Sequence, residues 1–179
     1  MIKLLQRCIA PALTLCAALA AVAPCAAQAP AKNWTPPAST TVAQKLVDET
    51  MASHPELLSM TLHGVPPGLQ EVYTMFAGSY PERIGNPDDP DDIDVTKKGI
   101  TILDPRWHRT KDKDSKFVVL MPLRTAPGEN VGLVVYAFRN PVNPNTSAAE
   151  MQYLAKAAAL RDELARLLPA YKGLFDPAR

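Results

Sequence analysis

Five aspartates between residues 88 and 94 are the densest group of side chains in this sequence that could do chemistry. They are Asp88, Asp89, Asp91, Asp92 and Asp94. Carboxylate oxygens are the ligands of hard cations such as Ca²⁺, but the calcium-loop spacing needs a glycine at its sixth position and a distal glutamate, and both are missing. The placement favours the alternative, a helix start whose acids cap backbone N–H groups and match the helix dipole. We therefore predict no metal site here.

The remaining catalytic residue types form no recognisable constellation. The three histidines, His54, His63 and His108, do not fall at a metal-ligand spacing, and His63 lies on the polar side of its strand. We expect solvated or hydrogen-bonded histidines rather than metal ligands. The sequence has no Gly-x-Ser-x-Gly motif, no phosphate-binding glycine loop and no cysteine after Cys25. The sequence thus predicts no catalytic residues.

A tryptophan between two arginines is the remaining candidate. Trp107, with Arg106 and Arg109, lies in an otherwise polar segment. The tryptophan could close over a pocket in which an arginine holds a carboxylate through two hydrogen bonds. The alternative is a loop anchored by one buried aromatic, with exposed arginines, and this is the commoner use of a single aromatic. Trp107 is kept as a candidate because its position suits a pocket lid.

The elements that must position these residues follow from hydrophobic periodicity and breaker residues. In chain order the pattern predicts a helix from 40 or 41 to 53, strands 57–63 and 71–77, a short helix ending at Gly99, a strand 100–103, strands 117–123 and 131–138, and a helix 147–168. The first strand alternates, which predicts Leu58, Met60 and Leu62 on one face and the polar residues between them on the other.

The two long strands, 117–123 and 131–138, differ from the first because nearly every position is apolar. Such strands are covered on both faces. We expect the terminal helices to cover one face and segment 79–115 to cover the other. The predicted fold class is α+β, with a mostly antiparallel, PAS-like sheet of about five strands flanked by N- and C-terminal helices.

The N-terminal region is typical of a secretory signal peptide. Lys3 and Arg7 precede an apolar run from 8 to 23, and small residues follow it. We predict residues 1–27 as the signal peptide, with cleavage after Ala27, residues 28–39 as a proline-rich flexible linker, and residues 40–179 as one domain. The protein is then expected in the periplasm, or secreted.

Charge and hydropathy exclude two classes of partner. Removing Lys3 and Arg7 from the 19 basic residues leaves 17, against 18 acidic residues. This near-neutral balance predicts no nucleic-acid binding and no attraction to an anionic membrane surface. No second apolar run is long enough to span a bilayer, and Pro24 before Cys25 makes a poor lipid-attachment site. We expect no membrane anchor.

Three short motifs, in a shared order, resemble those of the extracytoplasmic Cache domains, a PAS-like family of sensor modules. The residues that carry the resemblance are Arg83–Pro87, Asp91–Gly99, and the hairpin formed by Pro122–Arg124, Gly128 and Val131–Val134. The likeness covers about residues 40–140. Cache domains usually lie between two membrane spans of a receptor, whereas this sequence shows no downstream span and no signalling domain. It resembles a stand-alone, secreted relative.

The resemblance implies a pocket on one side of the sheet that binds a small organic ligand such as a carboxylate or an amino acid. We expect no cofactor, and the resemblance suggests a membrane sensor protein as a partner. Between the sheet and segment 79–115, the candidate ligand-binding residues are Tyr73, Arg83, Trp107, Met121 and Tyr136. The sequence leaves open which sheet face Met121 and Tyr136 occupy, since a register error of one residue would exchange the faces.

Two other functions remain open at the level of sequence. A periplasmic protein-interaction module without a ligand would have a solid core beneath segment 79–115. A small periplasmic enzyme would need titratable groups converging in one cleft. The only such groups that are close together in the sequence are His108 and Asp104 or Asp112. The leading hypothesis is a periplasmic, sensor-like module that binds a small molecule and has no catalytic activity of its own.

Overall fold

The structure is a computed structural model that describes residues 31–104, 115–140, 146–168 and 170–179. Its helices within those ranges are α1 (Val42–Ser53), α2 (Pro90–Lys98) and α3 (Ser147–Leu167), with short 3₁₀ helices at Pro81–Arg83 and Tyr171–Phe175. The strands are β1 (Leu57–Gly64), β2 (Thr74–Gly78), β3 (Ile102–Asp104), β4 (Lys116–Arg124) and β5 (Asn130–Arg139).

The five strands form one sheet in the order β2-β1-β5-β4-β3, and every neighbouring pair is antiparallel. β1 and β5 are central neighbours although they are far apart in sequence. The predicted α+β fold class, with a five-stranded antiparallel sheet and flanking helices, is confirmed. Among the described helices, none is both long enough and apolar enough to cross a membrane.

One face of the sheet is covered by α1, α3 and the C-terminal 3₁₀ helix. Every second residue of β4 and β5 points into this larger core, and these residues are Phe117, Val119, Met121, Leu123, Val134, Tyr136 and Phe138. Leu46 and Val47 of α1 and Leu160 of α3 close the core from the other side. This core is the larger of the two apolar clusters, and burial of apolar side chains is the dominant favourable contribution to folding.

The opposite face carries a smaller apolar cluster beneath α2. Val95 of α2 is fully buried and packs with the alternate residues of the long strands, which are Val118, Leu120, Leu133 and Ala137. The prediction that the long strands are covered on both faces is therefore confirmed, because consecutive residues enter two different clusters. α2 covers only part of this face, and a cleft lies beside it.

The first strand departs from simple alternation. The pairing of β1 with β5 shifts between Leu57 and Ser59, which is a β-bulge. The extra residue places Leu57 with Met60 and Leu62 in the larger core, whereas Leu58 packs against the smaller cluster. The predicted placement of Leu58 beside Met60 is therefore wrong, since a bulge reverses the faces on either side of it.

The start and the end of α2 follow the predicted signals. Asp89 is its N-cap residue, Asp91 and Asp92 lie in its first turn, and the Asp89 backbone N–H donates to Asp92 Oδ2 at 3.3 Å. Gly99 ends the helix with a φ of 66°, a left-handed conformation that glycine adopts without a Cβ penalty. The acids are thus placed by helix capping.

The segment predicted as a linker, residues 28–39, contacts the domain in its described part. The backbone N–H of Asn33 donates to the Gly85 carbonyl at 2.7 Å. The Trp34 ring packs edge-on against Phe175, with 6.0 Å between ring centroids. A half-buried tryptophan adds apolar contact to the larger core, so packing of this domain extends to the N-terminal side of residue 40.

Candidate functional site: a cleft on the sheet face beside helix α2

A cleft of about 210 Å³ lies between the sheet and the segment that includes the first 3₁₀ helix and the start of α2. Its lining residues are Ser59, Thr61, His63, Met75, Tyr80, Arg83, Asp89, Asp91, Asp92, Lys116, Val118, Leu120, Val135 and Ala137. The floor is the apolar surface of β4 and β5, and the rim is mostly polar. A concave site of this kind, with an apolar floor and a few convergent polar groups, suits a small ligand.

The polar wall of the cleft comes from the alternating side of β1. Ser59, Thr61 and His63 lie on the same face because strand side chains repeat every second residue. All three are buried, with exposed fractions of 6–7%. Buried polar side chains cost free energy unless they are hydrogen-bonded, so their partners decide what this wall does.

His63 is held by partners on both ring nitrogens. Its Nε2 lies 2.7 Å from Thr61 Oγ1, and its Nδ1 lies 2.8 Å from Asp88 Oδ1. A second carboxylate approaches the same nitrogen, because Asp92 Oδ2 lies 3.8 Å from His63 Nδ1. The Asp88 side chain has no exposed surface, and that of Asp92 is 13% exposed. One imidazole and two carboxylates thus converge in a buried group, and two of its members, His63 and Asp92, line the cleft.

The backbone on either side of β2 brings Asp88 to His63. Thr74 and Pro87 form an antiparallel bridge, and the Asp88 backbone N–H donates to the Tyr73 carbonyl at 3.1 Å. This bridge lays residues 86–88 alongside β2, which is itself paired with β1. The pairing of β1 with β2 shifts between Leu62 and His63. Bulges of this kind re-aim side chains near binding sites.

Burial and charge together set the protonation of this group. Burial of His63 disfavours its charged form, but the hydrogen bond and the negative charge of Asp88 outweigh burial, so the pKa of His63 is raised. Burial also raises the pKa of the Asp92 carboxyl, despite the opposing charge of His63. Both groups therefore hold a proton more tightly in the folded protein than in an unfolded chain.

The rim of the cleft carries charges of both signs. Arg83 and Lys116 provide the basic groups, and Asp89 and Asp91 are acidic groups at the start of α2. The Arg83 guanidinium lies over the ring of Tyr80, 5.6 Å from its centroid. An arginine held against an aromatic ring loses less side-chain entropy when it binds a carboxylate, because stacking has already limited its rotamers.

The five residues predicted to bind a ligand do not lie together in the structure. Arg83 lines the cleft. Tyr73 is not among the residues that line the cleft, and Lys97 Nζ lies 5.3 Å from the centroid of its ring. Met121 and Tyr136 point to the opposite face and are buried in the larger core, so they do not line this cleft. Trp107 lies outside the described residues.

Sequence reasoning did not bring together His63, Asp88 and Asp92, which form the most buried polar group of the site. The only signals were the polar side of β1 and the aspartates around the start of α2, and His63 and Asp88 lie 25 residues apart in the chain. The pairing depends on the irregular bridge between β2 and residues 86–88. Neither periodicity nor spacing predicts such a bridge.

Comparison with known proteins gives a shared fold and no shared sequence family. No protein-family model matches the chain, and no curated protein matches it. Among solved structures, the GAF domain of nlh2 from A. aeolicus in an inactive state is similar, with a TM-score of 0.52 and 10% identity over 71% of this chain and 84% of that one. The fold is therefore a GAF-like, PAS-like α+β fold.

Two further solved structures align with lower TM-scores. The second GAF domain of DevS from Mycobacterium smegmatis has a TM-score of 0.45 and 14% identity over 70% of this chain and 94% of that one. The E. coli DcuS sensor domain has a TM-score of 0.38 and 13% identity over 63% of this chain and 71% of that one. At these identities the likeness concerns the course of the backbone.

Proposed function

We propose that this protein is a sensor-like module that binds a small organic molecule in the cleft beside α2 and has no catalytic activity of its own. The observation that carries the proposal is the cleft itself. The sheet face beneath residues 80–92 is open, with an apolar floor at Val118, Val135 and Ala137 and a charged rim. A protein-interaction module without a ligand would instead have a filled core at this position.

The size and charge of the cleft define the class of ligand. Pockets for drug-sized molecules usually enclose roughly 300–1,000 Å³, and this one encloses about 210 Å³. A molecule with about the size of an amino acid or a short carboxylic acid fits that space. Arg83 and Lys116 suit a carboxylate, while Asp89 and Asp91 suit an ammonium group on the same molecule. An amino acid meets both conditions, and a simple carboxylate meets the first.

The cellular setting belongs to the same proposal. Residues 1–27 act as a signal peptide that is cleaved after Ala27, and the mature protein works in the periplasm or outside the cell as a Cache-like module. A ligand-dependent change in its surface would be read by a membrane sensor protein. The N-terminal sequence of protein recovered from the periplasm tests this part, since an uncleaved or cytoplasmic chain would contradict it.

A thermal-shift screen with amino acids and small carboxylic acids tests ligand binding. A ligand at 100 times its Kd adds about 2.7 kcal/mol to the free energy of unfolding, which raises the melting temperature measurably. We expect at least one member of the panel to do so. Stability that is unchanged by every amino acid and every carboxylic acid would contradict the proposal.

A pair of arginine variants tests whether that ligand uses the rim of the cleft. Arg83→Gln should weaken binding of a carboxylate ligand about tenfold or more, because a hydrogen bond to a charged group contributes roughly 1.5–3 kcal/mol. Arg166→Gln is the matched control, since Arg166 is exposed on α3, the helix that covers the opposite face of the sheet. Equal affinities in the two variants would exclude a role for Arg83.

A further inference from the structure

A divalent metal ion fits among three side chains in the wall of the cleft and directly behind it. We propose that His63 Nδ1 and the carboxylates of Asp88 and Asp92 bind a first-row divalent transition metal ion such as Zn²⁺. One donor atom from each residue lies within 4.8 Å of the other two. The proposal uses residues of the cleft, but it does not depend on an organic ligand being bound there.

The distances suit a metal as well as they suit a hydrogen bond. Zn²⁺ forms bonds of about 2.0–2.2 Å to imidazole nitrogen and to carboxylate oxygen, so ligand atoms in a tetrahedral site are about 3.4 Å apart. The separations from His63 Nδ1 are 2.8 Å to Asp88 Oδ1 and 3.8 Å to Asp92 Oδ2, which lie on either side of that value. Small movements of two side chains complete the site.

The second coordination shell is already in place. A histidine that binds a metal through one ring nitrogen usually donates its other N–H to an oxygen, which fixes the tautomer and the ring orientation. His63 Nε2 lies 2.7 Å from Thr61 Oγ1 in a buried environment. Donation from Nε2–H to this hydroxyl leaves the lone pair on Nδ1, the nitrogen that faces both carboxylates.

An unpartnered buried oxygen points to a missing cation. Asp88 Oδ2 is buried and accepts no hydrogen bond from the described residues. The Asp88 side chain has no exposed surface, so bulk water does not reach this oxygen either. A buried carboxylate is costly unless its charge and both its oxygens are compensated. A protonated His63 supplies one positive charge against two carboxylates, whereas a divalent ion with neutral His63 balances both.

Among the described residues, Arg83 is a cation whose charge acts on His63, but its described contact is with the Tyr80 ring. Capping of α2 accounts for Asp92, because its Oδ2 accepts from the Asp89 backbone N–H. It does not account for Asp88, which lies outside the helix and turns its carboxylate toward His63. The buried Asp88 side chain is therefore the observation that distinguishes a metal site from a helix cap.

The test uses purified protein without an affinity tag, stripped with a chelator and kept free of organic ligand. Zn²⁺ binding is measured by competition with a chromophoric chelator, and Co²⁺ binding is followed by its d–d absorption. We expect one ion per chain. His63→Gln and Asp92→Asn should each weaken binding at least about tenfold, since even outer-shell changes weaken metal binding about 10–100-fold.

Two matched controls remove the same kinds of group elsewhere. His54→Gln removes a histidine at the end of α1, and Asp94→Asn removes a carboxylate from α2 that pairs with Lys98 at 2.7 Å. Both should bind Zn²⁺ as the wild type does. If neither Zn²⁺, Co²⁺ nor Mn²⁺ binds, or if all four variants bind equally, the proposal is overturned and any bound ion is adventitious.

Nitrogen NMR of the unaltered protein gives an answer even if the site variants fail to fold. Zn²⁺ should shift the Nδ1 resonance of His63 and leave that of His54 unchanged, whereas an unchanged His63 would contradict the site. Metal binding and binding of an organic ligand are measured independently. A protein that binds the metal but no organic ligand contradicts only the proposed function, and a protein that binds a ligand but no metal contradicts only the metal site.

Discussion

His63 Nδ1 lies 2.8 Å from Asp88 Oδ1, and this contact joins strand β1 to the residue that precedes the N-cap of α2. Both side chains are buried, at 8% and 0% exposure. The pair therefore does two things at once. It fixes the start of α2 over one side of the sheet, and it places a titratable group, His63, in the wall of the cleft.

The first prediction concerns the pH dependence of stability in metal-free protein. Because the pKa of His63 is raised from 6.5 on folding, its stabilising contribution is fully present below pH 6.5 and is lost as pH rises through the higher folded value. The free energy of unfolding, measured by urea denaturation with a chelator present, should fall over that range. Each unit of pKa difference contributes about 1.4 kcal/mol.

Two comparisons isolate the contribution of His63. His63→Gln should remove the loss of stability above pH 6.5, and His54→Gln should retain it. Asp92, whose pKa is also raised on folding, acts in the same direction but at lower pH, above its ordinary value of 3.8. A wild-type stability that stays constant or increases between pH 6.5 and 8.5 would show that the pKa of His63 is not raised.

The second prediction separates Tyr136 from the binding site. Its hydroxyl is buried and has no hydrogen-bond partner among the described residues. Tyr136→Phe should therefore leave the free energy of unfolding unchanged or raise it by about 1–2 kcal/mol, since a buried unsatisfied polar group costs roughly 1–3 kcal/mol. It should also leave ligand affinity unchanged, because Tyr136 lies on the helix-covered face.

Tyr153→Phe is the contrasting variant. The Tyr153 hydroxyl donates to the Arg139 carbonyl at 2.9 Å and lies 3.2 Å from Asn140 Oδ1, so its removal should destabilise the protein by about 1 kcal/mol. Chemical denaturation of the two variants gives the comparison. A Tyr136→Phe variant that loses ligand affinity while remaining folded would show that Tyr136 contributes to ligand binding.

The third prediction concerns the close approach of β5 to β1 beside the site. A Cβ at Gly132 would collide with the backbone carbonyl oxygen of His63. Gly132→Ala should therefore lower the free energy of unfolding by about 1–3 kcal/mol, the usual cost of overpacking. Gly173→Ala is the control, since a Cβ there meets nothing closer than Asp176 Oδ2 at 4.0 Å. Equal stability of the two variants would contradict this packing.

Much of the fold could be predicted because local signals and tertiary packing agree in it. The aspartates, prolines and glycine around α2 specify its start and end through capping. Uniformly apolar sequences in β4 and β5 predict coverage on both faces. In each case, the physical cause lies within a few residues of its effect.

The site could not be predicted because its causes lie between distant segments. The faces of Met121 and Tyr136 follow from register across the sheet, in which Val119 is opposite Tyr136 and Met121 is opposite Val134. The bulges in β1 change which side chains share a face, and the contact of His63 with Asp88 spans 25 residues. Bulges and contacts between distant segments leave no periodic pattern in the sequence from which they could be predicted.

The measurement that tests the central claim most directly is methyl NMR during titration with the strongest ligand of the screen. Neighbouring valines provide matched probes, since Val118 and Val135 line the cleft whereas Val119 and Val134 lie in the larger core. A ligand in the cleft should shift the methyl resonances of Val118 and Val135 and leave those of Val119 and Val134 nearly unchanged. Shifts confined to the core valines and the helices, or no shift with any amino acid or carboxylic acid, would contradict the account.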